Sequence, residues 1–65
     1  MIRTSEIEKT YKILKRNELK GLKPSNIQEL TQELGFSRMT FYFANKKGNK
    51  VPNFEIKLRE WLKNN

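Results

Sequence analysis

The sequence contains no cysteine, no histidine and no aspartate. Without cysteine or histidine, disulfide frameworks and the usual zinc sites are excluded, and we expect neither a metal nor a cofactor. Glutamate, serine, lysine and tyrosine remain for acid–base or nucleophilic chemistry, and no pair of carboxylates is expected to flank a cleft in so short a chain. The three glycines are isolated, so there is no glycine-rich phosphate loop. The sequence therefore predicts a protein that is not an enzyme.

Long apolar runs are missing as well. The longest span only a few residues, and the N-terminal sequence Met-Ile-Arg-Thr-Ser-Glu has no apolar core. We therefore expect no signal peptide, no membrane span and a cytoplasmic location. A chain of 65 residues is expected to form one domain, residues 1–65. A domain of this size buries only about 60% of its unfolded surface, so its stability should be marginal.

Acidic residues are scarce in the second half of the chain. Residues 1–34 contain seven basic and five acidic side chains, whereas residues 35–65 contain seven basic and two acidic ones. Between residues 35 and 50, four cations occur without any acid: Arg38, Lys46, Lys47 and Lys50. A phosphate-facing surface has this composition, and a solvated basic face is the alternative interpretation.

The first helix is predicted from a capping box. Ser5 is the expected N-cap, with Glu8 three residues later. An apolar stripe of Ile7, Tyr11 and Leu14 follows at helical spacing. The helix is expected to end between residues 17 and 21, because Gly21 suits a left-handed terminal position.

Residues 27–44 have the spacing of a helix-turn-helix. Ser25 and Gln28 form a second expected capping box, with Ser25 as N-cap, and one face of the helix carries Ile27, Leu30, Thr31 and Leu34. Thr31 is expected where the two helices cross closely, and Gly35 supplies the positive φ of the turn. Phe36 is expected to turn inward while Ser37 caps the third helix. Because a protruding basic helix fits the DNA major groove, this stretch makes DNA the leading partner.

The third helix is predicted from residue 37 to about residue 46, although the local signals conflict. Residues 40–43, Thr-Phe-Tyr-Phe, have high β propensity, and a short β-wing over residues 42–56 is the alternative. Pro52 disfavours the wing because proline cannot donate a ladder hydrogen bond. Helical spacing also explains Phe36, Phe41 and Ala44 as inward residues better than alternation does.

A fourth helix is predicted to begin at Pro52 and Asn53. Its apolar face carries Phe54, Leu58, Trp61 and Leu62, which we expect to pack across the first three helices. A basic amphipathic helix that docks on a membrane or a partner is the alternative. Ile56 lies off this stripe, as an exposed residue or a dimer contact. The fold class expected is therefore all-α, a domain of three to four helices with a helix-turn-helix.

The segment Gly35-Phe36-Ser37-Arg38-Met39-Thr40-Phe41-Tyr42 resembles the turn and recognition helix of TetR-type regulators. The residue three positions after the tyrosine is Asn45, where that family usually has an aromatic. A weaker resemblance, to AraC-type domains, rests on Gly-Phe-Ser at residues 35–37, Lys-Lys-Gly at 46–48, Val-Pro at 51–52 and Phe54. Both imply a homeodomain-like helix-turn-helix that binds DNA. The TetR ligand-binding domain has no counterpart here, so no small-molecule ligand is expected.

Helix geometry divides the expected DNA contacts into two sets. Arg38 is the strongest candidate for base readout, because its guanidinium can bond guanine O6 and N7 together. The expected base contacts are Arg38, Met39, Tyr42 and Phe43, with Phe43 as a core or dimer residue in the alternative interpretation. The expected phosphate contacts are Ser25, Asn26, Ser37, Thr40, Lys46, Lys47 and Lys50, and capping alone is sufficient to explain Ser25 and Ser37.

These residues predict a sequence-specific binder of double-stranded DNA. We expect a homodimer on DNA, because one small module offers few base contacts and paired half-sites multiply the affinity. Its size and composition resemble those of small transcriptional regulators of phages, plasmids and other mobile elements. One alternative is a factor that bends DNA for excision or recombination, with a recombinase or polymerase as partner. The other is a module that binds an acidic protein.

Overall fold

The computed structural model describes residues 2–65 and is all-helical over that range. Its four helices are α1 (Thr4–Lys20), α2 (Ile27–Glu33), α3 (Arg38–Asn45) and α4 (Pro52–Lys63). No strand occurs in the described residues, so the β-wing over residues 42–56 is wrong. Those residues contain the end of α3, an irregular connection and the first turn of α4.

Helix α1 begins earlier than its expected cap. Arg3 is the N-cap, and its backbone N–H donates to Oε1 of Glu6 at 2.9 Å, so the assignment of Ser5 as cap and Glu8 as its partner is wrong. The helix ends as expected, at Lys20, and Gly21 follows with φ of 70°. The N–H of Leu22 bonds the carbonyl oxygen of Asn17 at 2.8 Å, which closes the last turn.

The start of α2 is also shifted by one residue from the expected capping box. Asn26 is the N-cap, and its Oδ1 accepts from the backbone N–H of Glu29 at 2.9 Å. The Glu29 carboxylate in turn accepts from the backbone N–H and the hydroxyl of Ser25, both at 2.8 Å. The predicted pair of Ser25 and Gln28 is therefore wrong, because Asn26 caps the helix and Ser25 donates to Glu29 instead.

Residues 34–37 form the tight turn between α2 and α3. The N–H of Phe36 bonds the carbonyl oxygen of Thr31 at 2.8 Å, and the N–H of Gly35 bonds that of Gln32 at 3.1 Å. This Schellman arrangement requires a left-handed residue, and Gly35 has φ of 86°. Thr31 is fully buried, as expected, and its hydroxyl donates to the carbonyl oxygen of Ile27.

Local features of the sequence mark the end of α3 and the start of α4. Asn49 donates from Nδ2 to the carbonyl oxygen of Phe43 at 2.9 Å and so satisfies an acceptor at the end of α3. Pro52 occupies the first turn of α4. Backbone N–H groups in a first turn have no intrahelical acceptor, so the N–H that proline lacks costs no hydrogen bond there. A returning strand is disfavoured by the same residue, as the sequence indicated.

The core centres on Phe41 of α3 and Phe54 of α4, both fully buried, with ring centroids 6.3 Å apart in an edge-to-face arrangement. Phe36 is half-buried and packs edge-to-face on Phe54. The stripe of α4 faces this core as expected, and Ile56 is exposed. The other buried hydrophobic residues are Ile2, Ile13, Leu14, Ile27, Leu30, Ala44, Leu58 and Leu62.

The buried stripe of α1 differs from the predicted one. Thr10, Ile13, Leu14 and Asn17 are buried, whereas Tyr11, predicted in the apolar stripe, is 46% exposed. Buried Thr10 is satisfied locally, since its hydroxyl donates to the carbonyl oxygen of Glu6 at 2.7 Å. The stripe is therefore rotated around α1, and it contains two polar residues that hydropathy excluded.

Among residues 2–65, none of the helices combines the length and the apolar composition that a membrane span requires.

Candidate nucleic-acid interface

Helix α3 has one buried face and one exposed face. Phe41 and Ala44 are fully buried, while the side chains of Met39, Phe43 and Tyr42 are 67%, 52% and 42% exposed. Arg38 is exposed at the first position of the helix. The four expected base contacts therefore lie outside the core, on the exposed face of α3.

The exposed cations around α3 are free of carboxylates. Arg38, Lys46, Lys47 and Lys50 are exposed and form no ion pair with any of residues 2–65. The chain has no acidic residue between positions 34 and 54. The ion pairs that the described residues do form involve glutamates of α1, α2 and α4. Positive charge around α3 is therefore left unneutralised and available to an external anion.

Ser37 and Thr40 meet at the start of α3. Ser37 is the N-cap by position, but its hydroxyl makes no capping bond and instead lies 3.3 Å from the hydroxyl of Thr40. A helix start also leaves backbone N–H groups without intrahelical acceptors. Two hydroxyls and these N–H groups are thus gathered beside Arg38, where an anionic oxygen would find several donors.

Ser25 and Asn26 are held in a different way. The backbone N–H and the hydroxyl of Ser25 both donate to the Glu29 carboxylate. These two bonds hold the pKa of the Glu29 carboxyl below its usual range. Asn26 uses Oδ1 to cap α2. Both residues border the same open cleft as Arg38 and Tyr42 of α3, and the anionic Glu29 carboxylate lies next to Ser25.

The connection between α3 and α4 carries the remaining expected phosphate contacts. Lys46, Lys47 and Lys50 are exposed there, and Gly48 adopts φ of 87°. Asn49 anchors the connection to the end of α3 through Phe43. The three lysines are therefore presented at the end of α3 opposite Arg38.

An open cleft beside α3 contains residues that the sequence did not single out. This α1–α3 cleft has a volume of about 430 Å³ and is bounded by α1, the start of α2 and α3. Tyr11 and Lys15 of α1 line it together with Arg38 and Tyr42. Burial, and to a lesser extent the nearby Tyr42, raises the pKa of the Tyr11 hydroxyl. The sequence pattern places Tyr11 in the apolar stripe of α1, whereas the structure places its ring beside Phe41 at the edge of this cleft.

Within residues 2–65, no three acidic side chains come together as a metal site would require. Searches of family models, curated proteins and solved structures find no match to this chain.

Proposed function

We propose that this protein binds duplex DNA sequence-specifically by placing α3 in the major groove. The observation that carries the proposal is the exposed face of α3, where Arg38, Met39, Tyr42 and Phe43 lie outside the core on an acid-free segment. An eight-residue helix is about 12 Å long, and the major groove is about 12 Å wide. Two turns of helix are therefore enough to present these side chains to base edges.

The proposed division of labour follows from side-chain chemistry. Arg38 reads guanine through two parallel hydrogen bonds, and the apolar Met39 and Phe43 contact thymine methyl groups. Tyr42 lies beside Arg38 at the edge of the groove. Ser37 and Thr40 bind backbone phosphates at the start of α3, and the lysines of the α3–α4 connection bind them at its end.

A single module of this size makes few base contacts, so we further propose that two copies bind paired half-sites about one DNA turn apart. Regulation of transcription is the physiological role we propose, since sequence-specific occupancy by so small a domain suits control of a promoter. Selection of bound duplexes from a random pool tests both points. A two-fold symmetric site supports a dimer, and an asymmetric site contradicts it.

Arg38 is the residue on which the test of DNA binding depends. We expect the logarithm of the affinity to fall linearly with the logarithm of the salt concentration, because bound phosphates release counterions. Arg38→Ala should reduce discrimination between the selected duplex and a scrambled one by about 1 to 3 kcal/mol, or roughly 5- to 150-fold. Arg16→Ala is the matched control, because Arg16 is an exposed arginine of α1 that does not line the α1–α3 cleft.

Two results would overturn the proposal. One is the absence of salt-dependent binding to any duplex. The other is unchanged discrimination in both Arg38→Ala and Tyr42→Ala. Salt-dependent binding to an acidic protein in place of DNA would instead identify an interaction module.

A further inference from the structure

The α1–α3 cleft joins the exposed face of α3 to a helix outside the helix-turn-helix. The cleft has a volume of about 430 Å³ and is open to solvent. Sites for small molecules usually enclose most of the ligand, so this open cleft is better suited to one part of a polymer. The lining side chains on which the inference depends are Tyr11, Lys15, Glu18, Gln28, Arg38 and Tyr42.

Two tyrosines of the cleft are held by the same buried ring. The Tyr11 ring packs edge-to-face on Phe41 at 6.0 Å, and the Tyr42 ring packs edge-to-face on Phe41 at 5.7 Å. Both tyrosines remain more than two-fifths exposed. Since Phe41 is fully buried, it fixes the position of α1 relative to the exposed face of α3.

The lining chemistry favours an anionic acceptor. Lys15 and Arg38 are cations, and the tyrosine hydroxyls and the Gln28 amide can donate hydrogen bonds. A phosphodiester has oxygens that only accept, so it complements this set. Arg38 also belongs to the proposed base-reading face, which makes the cleft continuous with the DNA surface of α3.

Glu18 is the one acidic residue in the lining, and it lies 3.1 Å from the Lys15 ammonium. The two side chains are 58% and 69% exposed, respectively. An ion pair this exposed contributes little to stability, so Lys15 can exchange Glu18 for another anion.

We propose that the α1–α3 cleft binds a phosphodiester of the duplex that α3 reads, with Lys15 as its cation, Tyr11 as a hydrogen-bond donor and Glu18 as a competing anion that weakens binding. This inference rests on the proposed function. It adds a site on α1 that positions the duplex without reading its sequence, because phosphate contacts are independent of base identity.

Opposite effects from neighbouring residues test the proposal. Lys15→Gln should lower affinity equally for selected and scrambled duplexes and should reduce the magnitude of the salt slope by about 0.9, the value for one phosphate contact. Glu18→Gln should raise affinity several-fold at low salt, because it removes the competing charge. Tyr11→Phe should weaken binding while leaving the salt slope unchanged, since it removes a hydroxyl and no charge.

Matched controls come from the other side of α1. Lys12 and Glu8 line a separate groove between α1 and α4, so Lys12→Gln and Glu8→Gln make the same charge changes away from the cleft. Thermal unfolding of each variant verifies that the fold is retained. The proposal predicts that the Lys15 and Glu18 variants change affinity and salt slope by more than their controls.

Equal changes in Lys15→Gln and Lys12→Gln would overturn the cleft proposal, as would a Glu18→Gln variant that binds no tighter than Glu8→Gln. The proposed function would still stand in either case if Arg38→Ala loses discrimination. Absence of DNA binding by the unaltered protein would overturn both.

Discussion

Arg59 of α4 donates from Nε to Oε2 of Glu6, in the first turn of α1, at 2.8 Å. These residues are separated by 53 positions in the chain, so the bond joins its two ends. Glu6 also accepts the backbone N–H of Arg3 and thereby caps α1. The hydrogen bond from Arg59 is the main cause that lowers the pKa of the Glu6 carboxyl, and the bond from Arg3 adds to it.

Glu6 should make stability depend on pH in the acidic range. A carboxyl whose pKa is lower in the folded state stabilises the fold above its unfolded value, near 4.5, and this contribution disappears as pH falls through the folded value. We expect Glu6→Gln to lose stability at pH 7 and to depend less on pH below about 4.5 than the unaltered protein. Urea unfolding at pH 7 and pH 3 measures this. An identical effect of Glu8→Gln, at an exposed position of α1, would contradict it.

Asn17 holds α1 to the segment that precedes α2. Its buried side chain donates from Nδ2 to the carbonyl oxygen of Pro24 at 2.9 Å. Asn17→Ala leaves that carbonyl without its donor and opens a small cavity, so we expect the free energy of unfolding to fall by about 1 to 3 kcal/mol. Chemical denaturation measures the loss. Asn64→Ala, at an exposed position after α4, is the control and should change stability by less than about 0.5 kcal/mol.

Gly35 is required for its backbone conformation rather than for lack of space. At φ of 86°, the nearest atom to an added Cβ would be the Lys57 ammonium nitrogen at 3.9 Å, which is ordinary contact. Gly35→Ala should therefore cost about 1 to 2 kcal/mol through left-handed strain. Gly35→Asn should cost less, because asparagine tolerates this region better. Equal thermal midpoints for the two variants would argue against backbone strain as the cause.

Phe41 and Phe43 should separate stability from DNA binding. Phe41 is fully buried, so Phe41→Ala is expected to cost about 3 to 5 kcal/mol and unfold a domain this small. Phe43 is 52% exposed, so Phe43→Ala should change stability by less than about 0.5 kcal/mol. On the proposed function, the same variant should lose preference for thymine at one position of the selected site. Circular dichroism and duplex titration measure the two effects. A large loss of stability in Phe43→Ala would instead assign this side chain to packing.

Much of the fold was predictable because its signals are local. Gly21 and Gly35 adopt the left-handed backbone conformation, which residues with a Cβ atom avoid. Each follows the end of a helix where the sequence predicts it. Pro52 begins α4 because its ring and missing N–H suit a first turn. Thr31 is fully buried on α2, as its small side chain and helical spacing predict. In each case the backbone conformation or side-chain size of one residue suits its place in the helix or turn, and the neighbouring sequence is enough to predict that place.

Tertiary contacts decided which residues cap α1, which face of α1 is buried and whether residues 40–43 are helical, because the local sequence permits more than one answer. The sequence predicts Ser5 as the cap of α1, yet this helix is capped through Glu6, which Arg59 of α4 also binds. Helical spacing placed Tyr11 in the apolar stripe of α1, but the packing of α1 buries Thr10 and Asn17, whose polar groups find backbone acceptors. Local propensity left residues 40–43 between strand and helix, and burial of Phe41 against α4 accompanies the helix. The α1–α3 cleft likewise exists only in three dimensions, because its residues come from three helices that no local pattern connects.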